Sequence, residues 1–178
     1  MNKFIGPIAI FTLLCTAAQA SLSIGLSLLY DNNDLGSEVG FAPNLGWQLS
    51  DNDYFNHTLE AEVAFLGMEG TKDGHTFDGS STPLLLNYRL NWNANDVFGL
   101  YSGVGLGFSS NKMKVTSTTP SPEEKSTDFA WQFQLGTRLT FAESYNFNLG
   151  YRHLSAGEAD AKVDGGHNII DLGFRYVF

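Results

Sequence analysis

The chain has 178 residues, with 19 Asp and Glu against 10 Lys and Arg and a formal net charge of −9. An acidic chain with no basic stripe is excluded from nucleic-acid binding. Charged residues make up 16%, well under the roughly 25% of an ordinary soluble domain.

Residues 1–20 read as a secretory signal that is cleaved. Lys3 supplies the positive start, Phe4 to Leu14 the apolar run, and Ala18-Gln19-Ala20 a small-x-small cleavage site. The run is too short for a spanning helix and contains Pro7. Leu14, not a small residue, precedes the lone Cys15, which argues against lipidation. Cleavage after Ala20 removes Cys15 and leaves one domain, 21–178, without a disulfide, a thiolate metal site or a cysteine nucleophile. That domain holds all 19 acidic residues against 10 − 1 = 9 basic ones, a charge of −10. None of it is apolar for the ~18 residues a spanning helix needs.

Eight segments alternate apolar and small or polar residues, the period of a β-strand. The first sets Leu22, Ile24, Leu26, Leu28 and Tyr30 against Ser23, Gly25 and Ser27. In the second, Val39, Phe41, Pro43, Leu45 and Trp47 oppose Gly40, Ala42, Asn44 and Gly46. Pro43 cannot donate to a ladder, so a bulge or irregular pairing is expected there. The third runs from Phe55 to Phe65, with Glu60 and Glu62 on its polar face, and the fourth, Leu84 to Trp92, carries Arg89. The fifth sets Phe98, Leu100, Val104, Leu106 and Phe108 against four glycines and Tyr101; the sixth, Phe129 to Phe141, carries Arg138. The seventh, Phe147 to His153, carries Arg152, and the last, Asn168 to Phe178, carries Asp171 and Arg175. Each has about the ~9–11 residues that a tilted strand needs to cross a bilayer.

The links after the second, fourth and sixth segments are short: 50–53, 93–96 and 142–144. Those after the third, fifth and seventh are long and polar, including Asn111 to Thr127 with Pro120 and Pro122. Aromatic residues gather at segment ends. Trp47 and Phe55, Trp92 and Phe98, and Phe141 and Phe147 flank the short turns, while Tyr30, Phe41, Phe65, Phe108 and Phe129 lie toward the other end. Two aromatic belts around an aliphatic band match the two interfaces of a bilayer.

Alternation leaves open which face is inside, and a soluble eight-stranded barrel of the lipocalin sort shares it. An eight-stranded interior is only just wide enough to be filled by side chains. Gly, Ser, Asn and Gln fit it, whereas the large aromatic and aliphatic set does not. The fold expected is therefore an all-β, eight-stranded, antiparallel up-and-down transmembrane barrel. Glu60, Glu62 and Asp171 then share the lumen with Arg89, Arg138, Arg152 and Arg175, where buried charges need partners. A salt-bridged plug is the expectation, and a narrow ion or proton path the alternative.

With its signal, its eight strands and the terminal Tyr176-Val177-Phe178, the chain resembles the OmpA/OmpX-type small outer-membrane barrels. Gly150-Tyr151-Arg152-His153-Leu154-Ser155-Ala156-Gly157 looks like the penultimate strand of such proteins. The resemblance implies that Phe174, Tyr176 and Phe178 form the signal read by the barrel assembly machinery. It also implies periplasmic termini, outer-membrane lipids as surroundings, and a structural or surface-interaction role without a cofactor. Outer loops with Glu69, Asp73, Asp78, Glu123, Glu124, Glu158, Asp160 and Asp164 would meet an unknown surface ligand or stand as solvated caps.

No peptidoglycan-binding domain follows Phe178, so a cell-wall tether is not expected. His153 and Ser155 share a lipid-facing position and are similar to the His-x-Ser of lipid A 3-O-deacylases. The pattern departs from that family, because Ala156 stands where Asn usually follows and His167 where the acid would be. Glu158 or Asp164 is the substitute acid that reading requires. His57 is read as a rim residue and His75 and His167 as loop residues. Four scattered histidines give no metal site.

Overall fold

The computed structural model describes residues 21–33, 36–51, 54–72, 75–116, 124–157 and 166–178. The expected signal, residues 1–20, lies outside them. The strands are β1 (Leu22–Asn33), β2 (Gly36–Asp51), β3 (Phe55–Val63), β4 (Leu66–Lys72) and β5 (His75–Asn93). They are followed by β6 (Phe98–Thr116), β7 (Glu124–Phe141), β8 (Tyr145–Ser155) and β9 (Gly166–Val177). Neighbours pair antiparallel in the order β3-β2-β1-β9-β8-β7-β6-β5-β4, and a further β3–β5 ladder closes the ring. The nine strands make eight staves, because β3 and β4 follow one another along the same one.

That division corrects the expectation of an unbroken third strand from Phe55 to Phe65, and Pro43 accounts for it. Phe41 exchanges both backbone hydrogen bonds with Phe65, at 3.2 and 2.9 Å. Residues 41 and 43 therefore turn their peptide groups toward this stave. Pro43 has no N–H to offer, and the ladder lapses between Asn44↔Glu62 and the isolated Phe41↔Phe65 bridge. On its other side Pro43 occupies a non-hydrogen-bonded position, so β1–β2 passes through Leu26↔Pro43 undisturbed. The register shift lies elsewhere, between Gln48 and Ser50.

Both described termini lie at one rim, where the Phe178 N–H donates to Leu22 O at 2.8 Å. The links 52–54, 94–97 and 142–144 share this terminal rim; at the opposite, loop rim the links 34–35 and 73–74 are as short, correcting the expected long third link, and only 117–123 and 156–165 are longer. At 19, 19 and 18 residues, β5, β6 and β7 exceed the ~9–11 needed to cross a bilayer. With β4 they continue as a sheet beyond the band. The long fifth loop is thereby corrected, since β6 runs to Thr116 and β7 starts at Glu124. Glu69, Asp78 and Glu124 likewise lie in strands, as do His75 and His167. Their pairing partners continue, so the ladder runs on with Glu69, Asp78 and Glu124 exposed and His167 buried.

The apolar set faces out. Leu26, Leu28, Leu86, Val104, Leu106, Leu135, Leu149 and Leu172 are all exposed, and the alternate residues are buried in the lumen. The lumen is layered. Asn56, Thr58, Asn91, Asn146 and Asn148 lie toward the terminal rim, and charged residues follow. Next comes an inward apolar cluster of Leu29, Ala42, Ala64, Leu66, Leu85, Ala130, Leu154, Ala156 and Ile169. Asp31, His167, Ser81 and Ser109 lie beyond it, and Met68, Phe77 and Met113 pack together on the extended strands.

Candidate functional site

Glu60 and Glu62 are two residues apart on β3 and so point into the lumen together. Glu60 Oε1 is 3.1 Å from Arg89 Nε and 2.7 Å from Arg175 Nη2. Arg152 bridges the other acids, with Nη1 2.8 Å from Glu62 Oε1 and Nη2 2.6 Å from Asp171 Oδ2. Three carboxylates thus balance three guanidiniums, and the forked donors of Arg89 and Arg152 reach at least two partners each.

Amides extend each set, and Tyr101 joins the two. Gln132 Nε2 donates to Glu62 Oε1 at 3.1 Å and to Asn87 Oδ1 at 2.7 Å, and Arg89 Nη2 donates to Gln134 Oε1 at 2.9 Å. Tyr101 Oη donates to Asp171 Oδ1 at 3.2 Å, while the Arg89 guanidinium lies 4.3 Å from the Tyr101 ring centre. Glycines make this reach possible. A Cβ on Gly150 would collide with Tyr101 Oη, and one on Gly136 would lie 2.7 Å from Tyr101 Cζ.

Six of the seven charged residues expected in the lumen therefore meet. The seventh, Arg138, sits nearer the terminal rim, where it donates to Asn93 Oδ1. It lines a polar vestibule of about 370 Å³ with Asn56, Asn95 and Asn146. Sequence reasoning passed over Tyr101, although it is the one aromatic among the glycines of its strand face. It also passed over Asp31 and read His167 as a loop residue. Counting inward by twos from Asp171 reaches His167, and from Ser27 reaches Asp31. His167 Nδ1 and Asp31 Oδ2 are 2.6 Å apart and buried, which removes His167 from the outer face where a deacylase acid would be needed.

On the outside, Phe55, Trp92, Phe98, Phe141 and Phe147 are exposed near the terminal rim, and Trp47 is half-buried beside them. Phe174 lies 5.1 Å from Phe147 and Tyr176 4.9 Å from Phe178, ring centre to ring centre. Tyr145 joins this patch 5.9 Å from Phe174 and 5.2 Å from Tyr176. Toward the loop rim Phe41 stacks on Phe65 at 4.8 Å, and Phe108 meets Phe129 edge-on at 6.4 Å.

His153 and Ser155 share the outer face of β8, opposite Phe133 and Trp131. His153 Nδ1 is 3.2 Å from Asn168 Oδ1, an amide oxygen that also accepts from Tyr151 Oη at 2.7 Å. Glu158 and Asp164 lie outside the described residues, as do Asp73, Glu123 and Asp160. His57 faces outward against Tyr88, with its Nδ1 in contact with the phenol oxygen. Among the described residues no three His, Cys, Asp or Glu gather as metal ligands.

Residues 8–178 match the family model for the outer membrane protein beta-barrel domain. Among curated proteins no relative matches. The solved structure of Neisserial surface protein A is 15% identical, with a TM-score of 0.61, covering 89% of this chain and 97% of that one. Ail, the attachment invasion locus protein of Yersinia pestis, is 18% identical over 89% and 97%, with a TM-score of 0.56. The outer membrane enzyme PagL is 14% identical over 86% and 98%, with a TM-score of 0.52. At such identities the likeness is one of fold.

Proposed function

The chain belongs to the outer-membrane β-barrel family, among the small barrels of the OmpA/OmpX type, and from that premise we propose a sealed barrel that works through its loop rim. In this reading both termini face the periplasm and the loop rim faces outward. Phe174, Tyr176 and Phe178 present the signal for the barrel assembly machinery, and outer-membrane lipids surround the aliphatic band.

The stacked lumen carries the proposal. Arg152, with two acids within 2.8 Å, lies directly beneath the apolar layer of Leu29, Leu85, Leu154 and Ile169. An ion would have to displace paired charges and then cross a dry constriction, and hydrophobic constrictions close pores by excluding water. With no path through the middle, the role falls to the rim, as a structural or surface-interaction protein. By sequence that rim holds more acidic residues than lysines, Glu69, Asp78 and Glu124 among them. It suits a cationic or neutral partner better than a polyanion such as the heparin analogue sucrose octasulfate bound to Ail.

Planar-bilayer recording tests the seal. Silence at moderate voltage is expected, and stable open channels would overturn the plug in favour of the narrow-pore reading.

A further inference from the structure

Two prolines flank one stave of the wall. Next to the Phe41↔Phe65 bridge, the residues that turn their peptide groups toward one another are Pro43 and Val63. Pro43 has no N–H, so the Val63 carbonyl receives no donor from β2. On the other side of the stave the Ala64 N–H donates to Pro83 O at 3.0 Å, and Pro83 returns no N–H to the Ala64 carbonyl. Two consecutive carbonyls thus lack their ladder donors, beside the stacked rings of Phe41 and Phe65 in the loop-rim belt. A backbone group left unsatisfied in lipid is costly. The lumen offers no remedy. Behind the gap lie Ala42, Ala64, Leu66 and Leu85 of the apolar layer, each 3% exposed or less, and such a layer does not hold water.

In front of the gap the outer wall is hollowed. An apolar groove of about 570 Å³ crosses from Phe174 of β9 past Leu26, Pro43 and Val63 to Leu84 of β5. The ladders set these residues on one rung. Pro43, Val63 and the neighbouring Ala61 are small and keep the floor low. The rung spans four inter-strand spacings, ~19 Å in all, comparable with the ~15 Å of hydrocarbon in one leaflet. Because the strands are tilted, the groove climbs through the band. Phe174 meets Phe147 of the terminal-rim belt, and Leu84 pairs with Phe108 of the loop-rim belt. Asn44 Oδ1 and Glu62 Oε2, which line the groove from beneath, are also buried acceptors without a hydrogen-bond partner. What the groove lacks is a donor.

We propose that this groove seats an acyl chain of a membrane lipid that carries a hydroxyl or amide N–H at the base of the chain, and that this donor bonds the Val63 carbonyl. The chain lies along the rung, and its head emerges beside Phe41 and Phe65. The inference rests on the outer wall facing lipid and goes beyond the sealed lumen.

The test uses the full chain in phosphatidylcholine vesicles, with spin-labelled sphingomyelin or spin-labelled phosphatidylcholine as probe. The two share a phosphocholine head, but only sphingomyelin has an amide N–H and a hydroxyl beneath it. Electron paramagnetic resonance should show sphingomyelin held at the protein surface roughly fivefold more strongly, the factor given by one net hydrogen bond. Pro43→Ala supplies the missing N–H and should abolish the preference. Pro83→Ala, at a position that does not line the groove, should keep it. A second readout needs no variant. Val63-Ala64 is the one Val-Ala pair in the chain, so isotope labels in valine carbonyls and alanine nitrogens isolate the Val63 carbonyl in solid-state magnetic resonance. Its carbon resonance should move downfield when sphingomyelin is added to the wild type. Equal retention of the two probes, an unmoved Val63 resonance, or a preference that survives Pro43→Ala each overturns the inference. Displacement of both probes alike as the protein-to-lipid ratio is raised would assign the groove to a second copy of the chain instead. Failure of the wild type to enter vesicles at all would count against the membrane reading itself.

Discussion

Arg175 of β9 reaches across the lumen to Glu60 of β3, with Nη2 2.7 Å from Oε1. Two other strands, β1 and β2, separate them in the ring. The contact therefore ties together staves that share no backbone hydrogen bond. Glu60 also holds Arg89, so one fully buried carboxylate is shared between two guanidiniums.

Removing that carboxylate leaves two buried cations without it. Glu60→Ala should destabilise the folded barrel by about 3–5 kcal/mol, whereas exchanging the charged set for apolar residues of similar size should cost far less. Urea unfolding in lipid vesicles, followed by tryptophan fluorescence, measures both. A Glu60→Ala loss under ~1 kcal/mol would mean that this ion pair is solvated and weak.

Gly150 and Gly136 leave the space that Tyr101 occupies. Gly150→Val should push the phenol off Asp171 and cost about 1–3 kcal/mol through overpacking. Tyr101→Phe, which loses only the hydrogen bond, should cost about 1–1.5 kcal/mol. If Tyr101→Phe in the Gly150→Val background removed no further stability, the phenol would already have been displaced.

The proposed seal has two layers, and each should hold alone. Leu85→Ala opens a cavity in the apolar layer at a cost of about 2–5 kcal/mol, yet the ion pairs below it should keep the bilayer current at zero. Arg152→Ala should likewise stay silent, while the double variant should conduct. Conductance from either single variant would show that one layer does all the sealing.

Much of this architecture was readable in the sequence, because a barrel wall obeys the simplest periodicity there is. Alternation separated the outer aliphatic face from the inner set, and it placed Glu60, Glu62, Arg89, Arg152, Asp171 and Arg175 on one side of the wall. The break at Ala64 was not readable, since it arises from the pairing of Pro43 with another stave. The inner apolar layer was hidden for a different reason. Leu29, Leu85 and Ile169 stand beside outward apolar neighbours, so a short run of grease at these points erases the period. Arg138 was placed on the correct face, but face alone does not give depth. Its distance from Glu60 follows from the stagger between staves.

Ala142 and Glu143 hold left-handed backbone, with φ of 47° and 59°, in the turn between β7 and β8. Neither is glycine, and each such residue costs roughly 1–2 kcal/mol. Glu143→Gly should stabilise the barrel by about 0.5–1 kcal/mol, after the extra entropy of glycine is counted. A higher urea midpoint at an unchanged slope would register it; a lower midpoint would show that the turn is not strained.

His153 has an amide oxygen beside it where a hydrolytic base needs a carboxylate. Mass spectra of lipid A from cells expressing the wild type, H153A or S155A should be the same as from cells without the protein. An acyl chain missing only in the presence of the wild type would restore the deacylase reading.

The ladder that joins the first strand to the last pairs Ser23 with Val177, almost the whole chain apart. The last contact to become available thus belongs to the first strand made. Until β9 has emerged, β1 stands as an open edge with an unsatisfied row of donors and acceptors. Pairing at such sequence separation is slow. Closure of the ring therefore waits for the last strand, and until then the β1 edge has to be guarded from aggregation.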